Sequence, residues 1–303
     1  MTHPIRIVDV FTERPFAGNQ LAVVLSADGI SEETMQSVAR EMNFSETTFV
    51  LPPENSDHAA RVRIFTPAAE LPFAGHPTVG TAWVVLREGL VKADGGNFIL
   101  EEKVGPVPVR LAREGGREVV WMTHPQVSFE ETIPDRTLVA SSLGLSEADL
   151  APGVPLQVAS TGNPFLFVAL RDRRAVDAAT SDGARLNKIF AGRQARAVFM
   201  FAVEGAGKLY SRMFAPHLLG IAEDAATGSA AGPLGAYAVK YGLVPREQTV
   251  SLVNEQGTKM GRQSSLYIEL AYGSHPDIPT KIEVGGSVVP IVSGELSLPE
   301  AKK

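Results

Sequence analysis

Cysteine is absent from all 303 residues, which removes disulfides, thiolate metal sites and thiol nucleophiles together. Basic clusters are missing as well. The 28 Lys and Arg residues are scattered and outnumbered by 34 Asp and Glu, for a formal charge of −6, so there is no cationic footprint for nucleic acid. No apolar run approaches membrane-spanning length, and no charged leader with an apolar core and cleavage site opens the chain. The expectation is a cytoplasmic protein with neither a nucleic-acid nor a membrane partner. What is present is an ordinary composition, 44% hydrophobic and 20% charged, in a chain long enough for two hydrophobic cores.

The most informative stretch is RIFTPAAELPFAGHPTVGTA, Arg63 to Ala82. It begins with strand-like alternation, passes through a Gly/Pro-rich turn, and from Pro77 reads as an apolar helix ending near Gly89. Pro suits the first helical turn, and the unpaired N–H groups there form a natural anion site. His76 stands at this positive end. The pattern then recurs: Arg63-Ile-Phe-Thr-Pro67 is echoed by Arg212-Met-Phe-Ala-Pro216, Gly75 by Gly228, Gly89-Leu90-Val91 by Gly242-Leu243-Val244, and Gly18-Asn19 by Gly162-Asn163. A separation of about 150 residues is too long for a solenoid and points to a duplicated domain.

Elsewhere the chain reads as α+β. Strands are expected over Ile5 to Phe11, Leu21 to Leu25 and Phe44 to Val50, with a helix capped by Ser31 between the last two. Further strands are expected at Asn97 to Leu100, Val107 to Ala112 and Val119 to Met122, and helices at Asp135 to Leu143 and Asp182 to Phe190. Thr249 to Leu252, Gly261-Arg262, Ser265 to Ala271 and Thr280 to Val284 read as a meander, and 298 to 303 as a tail. Glu46 opens the strand at Phe44 to Val50, and in the second half its register position falls on Arg196. Any acid–base chemistry is therefore expected to be one-sided.

FAGNQLAVV at 16 to 24, NFSETTFV at 43 to 50, the Arg63 to Ala82 stretch and EDAATGSA at 223 to 230 together resemble the PhzF-like family of phenazine-biosynthesis isomerase relatives. The resemblance implies the diaminopimelate epimerase-like fold: two pseudo-symmetric domains, each a mostly antiparallel sheet wrapped around a central helix, with the active site between them. On that basis the first domain is expected over 1–122 plus a C-terminal strand at about 285–298, and the second over 123–284. It also implies a homodimer. The family's catalytic Glu falls on Glu46, and its substrate-contacting His, Asp and Ser fall on His76, Asp224 and Ser229. Asn19, Gly75, Thr227 and Gly228 complete the set as substrate-binding candidates. The two cysteines of the epimerase relatives correspond to Ala74 and Thr227, so a two-thiol racemase is not expected. Gln20, Ala222 and Ala225 depart from the usual Pro, Gly and Pro, at positions that affect backbone stiffness rather than reactive groups.

The residue chemistry supports the same division of labour. Helix starts at Gly75-His76 and Gly228-Ser229 suit a carboxylate. Glu46, walled by Phe44 and Phe49, is expected to have a raised pKa and to shuttle one proton between carbons. Such a shift needs neither metal nor cofactor, and none is expected. The function expected is isomerisation of a small carboxylate-bearing metabolite. An epimerase or racemase is the alternative among enzymes, and a non-catalytic small-acid-binding protein the alternative outside them. Ordinary roles also exist for the candidates: Glu46 as a solvent-exposed strand end, His76, Asp224 and Ser229 as helix caps.

Overall fold

The computed structural model describes residues 1–91, 96–215, 221–275 and 277–298; the echo at Pro216 and the tail at 299–303 lie outside the described residues. The chain divides into two compact units, Met1–Met122 with the residues from Gly285 onward, and Thr123–Val284. Among the described residues no helix is long and apolar enough to cross a membrane.

The first unit contains β1 (Thr2–Val10), β2 (Asn19–Val24), α1 (Glu32–Met42), β3 (Glu46–Leu51), β4 (Ala60–Phe65), β5 (Glu70–Leu71), α2 (Gly75–Arg87), β6 (Asn97–Glu102), β7 (Gly105–Glu114) and β8 (Arg117–Thr123). β1 pairs antiparallel with β2 and, on its other edge, with the closing strand Val288–Ser297. β2 and β3 run parallel, β3 and β4 antiparallel, β4 and β6 parallel, and β6 and β7 antiparallel. Ser31 caps α1 by accepting from the Thr34 N–H, and Asn43 ends it in the left-handed region. Met35, Val38 and Ala39 on its inner face join Phe49 and Phe65 in one cluster. α2 is different: nearly every residue from Gly75 to Val85 is buried. Close approach requires small residues, and a Cβ on Gly80 would come within 2.6 Å of Leu21 and 2.7 Å of Val10.

The second unit begins with β9 (Ser128–Thr132), α3 (Arg136–Ser142), β10 (Gln157–Ser160), β11 (Pro164–Ala169), α4 (Arg173–Ala178) and α5 (Gly183–Phe190). It continues with β12 (Ala197–Gly205), β13 (Lys208–Ala215), β14 (Ile221–Asp224), α6 (Gly228–Lys240), β15 (Thr249–Gln256), β16 (Ser264–Tyr272) and β17 (Pro279–Gly286). Its pairing scheme is that of the first unit. β10 and β11 are antiparallel, β11 and β12 parallel, β12 and β13 antiparallel, β13 and β15 parallel, and β15 and β16 antiparallel. α6 is buried from Gly228 to Val239, and a Cβ on Gly235 would meet Ile268 at 2.9 Å. α3, α4 and α5 cover an apolar cluster that includes Val139, Val176, Leu186, Ile189, Met200 and Tyr210. The expected strand at Gly261-Arg262 is instead the end of a 3₁₀ turn, Thr258–Met260, because Gly257 and Gly261 both take positive φ and reverse the chain.

Candidate active site

In the first unit, three candidate residues come together at the uncapped end of α2. Asn19 is the first residue of β2, Glu46 the first of β3, and His76 the second of α2. Parallel pairing sets Leu21 opposite Glu46, which places the starts of the two strands side by side. The helix N-cap is Ala74, which has no capping side chain, so the amides of the first turn are left to other acceptors. Asn19 Nδ2 lies 3.1 Å from His76 Nδ1, and His76 Nε2 lies 3.4 Å from Glu46 Oε2. In the tautomer that accepts from the Asn19 amide, the ring hydrogen sits on Nε2, beside the carboxylate but outside hydrogen-bond geometry with it. Glu46 is 8% exposed and His76 2%. The strand-end Glu is therefore buried, and the imidazole bonds to a neighbouring strand rather than capping its own helix.

The expected aromatic walls of Glu46 are on the wrong face. Side chains alternate along a strand, so Glu46 shares its face with Thr48, whose hydroxyl meets that of Thr81 on α2 at 2.8 Å. Phe49 points the other way into the α1 cluster, and Phe44 packs against that same cluster. The contact that the Glu46 side chain makes with α2 is through His76.

In the second unit, the start of α6 is organised by a hydrogen-bond network. Thr227 is its N-cap by position, but the hydroxyl donates to Asp224 Oδ2 at 2.7 Å instead of capping the helix. Gln256, the last residue of β15 and wholly buried, closes the network. Its Nε2 donates to the Asp224 carbonyl and to Thr227 Oγ1, both at 2.9 Å, and its Oε1 accepts from the Thr227 N–H at 3.1 Å. Gly257 follows it at φ 78°, where a Cβ would fall 2.4 Å from the Arg262 carbonyl and 2.5 Å from that of Ala225. Ser229 is the second helical residue. Pro233, one turn on, has no N–H to give the Ser229 carbonyl, and that carbonyl receives Thr161 Oγ1 at 3.5 Å. Thr161 in turn is 2.8 Å from His124 Nδ1. Asp224, Thr227, Gly228 and Ser229 thus form one connected turn. Gln256, Thr161 and His124 had no sequence signal, since each is remote along the chain from the turn it supports.

His76 and His124 are held in the neutral form by burial. Burial lowers the His76 pKa to about 3, partly opposed by a hydrogen bond with the Gln20 backbone, and burial lowers that of His124 to about 3. A neutral imidazole offers one donor and one acceptor, the form suited to orienting a carboxyl group. A consequence for stability follows. A base with a lowered folded pKa contributes stability that is present above its ordinary value near 6.5 and lost as pH falls toward 3. Two such groups should cost several kcal/mol across that window, about 1.4 kcal/mol per group per pH unit at most. Denaturant midpoints measured from pH 7 to 4 should fall less steeply for His124→Gln than for the unsubstituted protein; parallel curves would show that His124 is not buried uncharged.

The sequence matches the phenazine biosynthesis-like protein family, PhzC-PhzF, over residues 8–294. The chain belongs to this family. Trans-2,3-dihydro-3-hydroxyanthranilate isomerase of Pseudomonas aeruginosa is 38% identical over 298 residues, covering 98% of this chain and all of the relative. A PhzF-family phenazine biosynthesis protein of Bacillus anthracis superposes with a TM-score of 0.87 at 26% identity, over 98% of this chain and all of that one. The fold extends further, to a hydroxyproline epimerase of Agrobacterium vitis with TM-score 0.68 and 12% identity, covering 98% and 93% of the two chains. As a member of the PhzF family the chain is an isomerase, with the α+β fold shared by PhzF proteins and the proline racemase and epimerase group.

Proposed function

We propose that this PhzF-family isomerase moves one proton within a small carboxylate-bearing metabolite, with Glu46 as the single proton carrier and no cofactor. The observation that carries the reading is the 3.4 Å approach of Glu46 Oε2 to the ring of a buried, neutral His76 at the uncapped start of α2. The carboxylate of Glu46 takes a proton from an allylic carbon, the double bond shifts, and the resulting carboxylic acid returns the proton to the far end of the allylic system. One C–H bond breaks and one forms, so composition and oxidation level are unchanged. His76 holds the carboxyl group in line, and Asn19 holds His76. The amides at Gly75 suit the substrate carboxylate, and in the second unit Asp224, Thr227 and Ser229 with the amide at Gly228 form a second candidate binding turn. Thr227 carries a hydroxyl already donated to Asp224, which disfavours a second proton carrier of the epimerase kind.

Trans-2,3-dihydro-3-hydroxyanthranilate is the first substrate to test. It carries a carboxylate for the helix amides, a hydroxyl and an amine for the polar side chains, and ring double bonds for the allylic shift. Incubation in deuterium oxide should shift its ring double bonds and place solvent deuterium at a ring carbon. Deuterium entering the α-carbon of proline or hydroxyproline with inversion, and none entering the dihydro acid, would replace this reading with the epimerase one.

A further inference from the structure

β6 and β15 hold the same place in their own units. Each follows the buried helix, lies parallel to the strand two places before it, and turns into an antiparallel partner. Their last residues are Glu102 and Gln256, which pair with Gly105 and Ser264, the first residues of the next strands. Both are buried, at 6% and 0% exposure. Gln256 reaches the start of α6 through Thr227, and Glu102 reaches the first turn of α2 through Thr78. One position is thus filled by a carboxamide in one unit and by a carboxyl group in the other.

The hydrogen bonds at Thr78 decide the state of that carboxyl. Thr78 Oγ1 lies 2.6 Å from the Ala74 carbonyl and 2.5 Å from Glu102 Oε1. The hydroxyl has one hydrogen, and the carbonyl can only accept it. A carboxylate can only accept as well, so both contacts are hydrogen bonds only if the carboxyl supplies a proton of its own. Glu102 Oε2 is sealed from solvent and has no hydrogen-bond partner among the described residues. Among the described residues no cation pairs with it. Glu102 borders a surface groove of about 590 Å³ that carries Arg61, Arg63 and Lys103. Arg61 is held by Glu54, Arg63 by Glu32 and Glu70, and Lys103 by Glu70. Glu101, the neighbour on β6, faces outward to His58; in the first turn of α2 the titratable residue is His76, directed to Asn19 and Glu46; the facing start of β7 is Gly-Pro-Val-Pro. Burial raises the Glu102 pKa to about 8, against the opposing effect of Thr78.

We propose that Glu102 is a positioning residue of the isomerase site: as a neutral acid it donates to Thr78, leaves the Thr78 hydroxyl to close on Ala74, and fixes the helix turn that presents Gly75 and His76. It does in acid form what Gln256 does as an amide. The effect on turnover rests on the function proposed above, whereas the protonation state does not.

Glu102→Gln supplies the donor permanently and is the substitution the second unit already contains. The infrared carbonyl band of a protonated carboxylic acid should be present at pH 7 and missing from the variant. An acid with a raised folded pKa contributes stability that is full below its ordinary value near 4.5 and lost as pH rises toward 8, so thermal midpoints should decline between those limits more for the unsubstituted protein than for Glu102→Gln. Turnover of the dihydro acid at pH 7 should match in both. By pH 9 the unsubstituted enzyme should lose roughly tenfold relative to the variant, in proportion to ionised Glu102, while Glu102→Met should raise KM at all pH values. No difference band at pH 7, or the same alkaline loss in both proteins, overturns the proposal. If no acid is turned over, the isomerase assignment of substrate fails, and the band and the midpoints still decide Glu102.

Discussion

Glu46→Gln should lower turnover by at least about 10² to 10⁴, the usual contribution of one positioned acid–base group, and leave substrate affinity near that of the unsubstituted enzyme. The amide keeps the shape of the side chain and can still face His76 Nε2, 3.4 Å from the carboxylate oxygen, but it cannot accept a proton from carbon. Folding should be little affected because the cluster loses no volume and α2 keeps its glycine-lined contact with Leu21 and Val10. Solvent-deuterium incorporation measures the chemical step and calorimetry the affinity. Exchange at an unchanged rate would remove Glu46 as the base and leave His76 and Asp224 to be tested in its place. Binding that weakens in parallel with turnover would instead make Glu46 a substrate anchor.

Arg212→Met should destabilise the second unit by about 3 kcal/mol, the lower end of the cost of removing one partner from a buried ion pair, because Arg212 is buried and Glu223 half-buried. Arg212 engages Glu223 with both ends of its guanidinium, Nε to Oε1 and Nη2 to Oε2 at 2.8 Å each. Its remaining Nη1 donates to the carbonyls of Val176, Asp177 and Ala179, the last turn of α4, where a cation is favoured by otherwise unpaired acceptors. Methionine fills similar space and supplies no donor, so a half-buried carboxylate and three carbonyls lose their partner at once. Lysine should recover only part of the loss, because a single ammonium cannot reproduce the fork. Arg63 is the echo of Arg212 in the first unit; its guanidinium is more exposed than that of Arg212, and it pairs with Glu70 and with the exposed Glu32. Arg63→Met should cost nearer 1 kcal/mol. Urea midpoints for the two variants test the contrast, and equal losses would show that burial is not what gives the Arg212 cluster its strength.

The sequence by itself determined the local pieces and the family. The order strand, Gly/Pro turn, apolar helix at Arg63 to Ala82 was readable because helix starts, caps and apolar periodicity are written within a few residues of one another. Ser31 at the start of α1 and Gly75 at the start of α2 lie where those signals put them. The four motifs that carry the family resemblance are local in the same way. Tertiary structure decided what each polar group faces. Strand alternation alone separates Glu46 from Phe49, but every residue of β3 is buried, so no polar face marks the side on which α2 lies. Gln256 reaches Thr227 from 29 residues away, and Glu102 reaches Thr78 from 24; nothing in either segment marks a partner at that distance, because the contact is made by strand pairing and helix placement. The protonation of His76 and Glu102 belongs to the same class: a side chain's charge state is set by the dielectric, donors and counter-charges that folding gathers around it, and a sequence lists those groups without bringing them together.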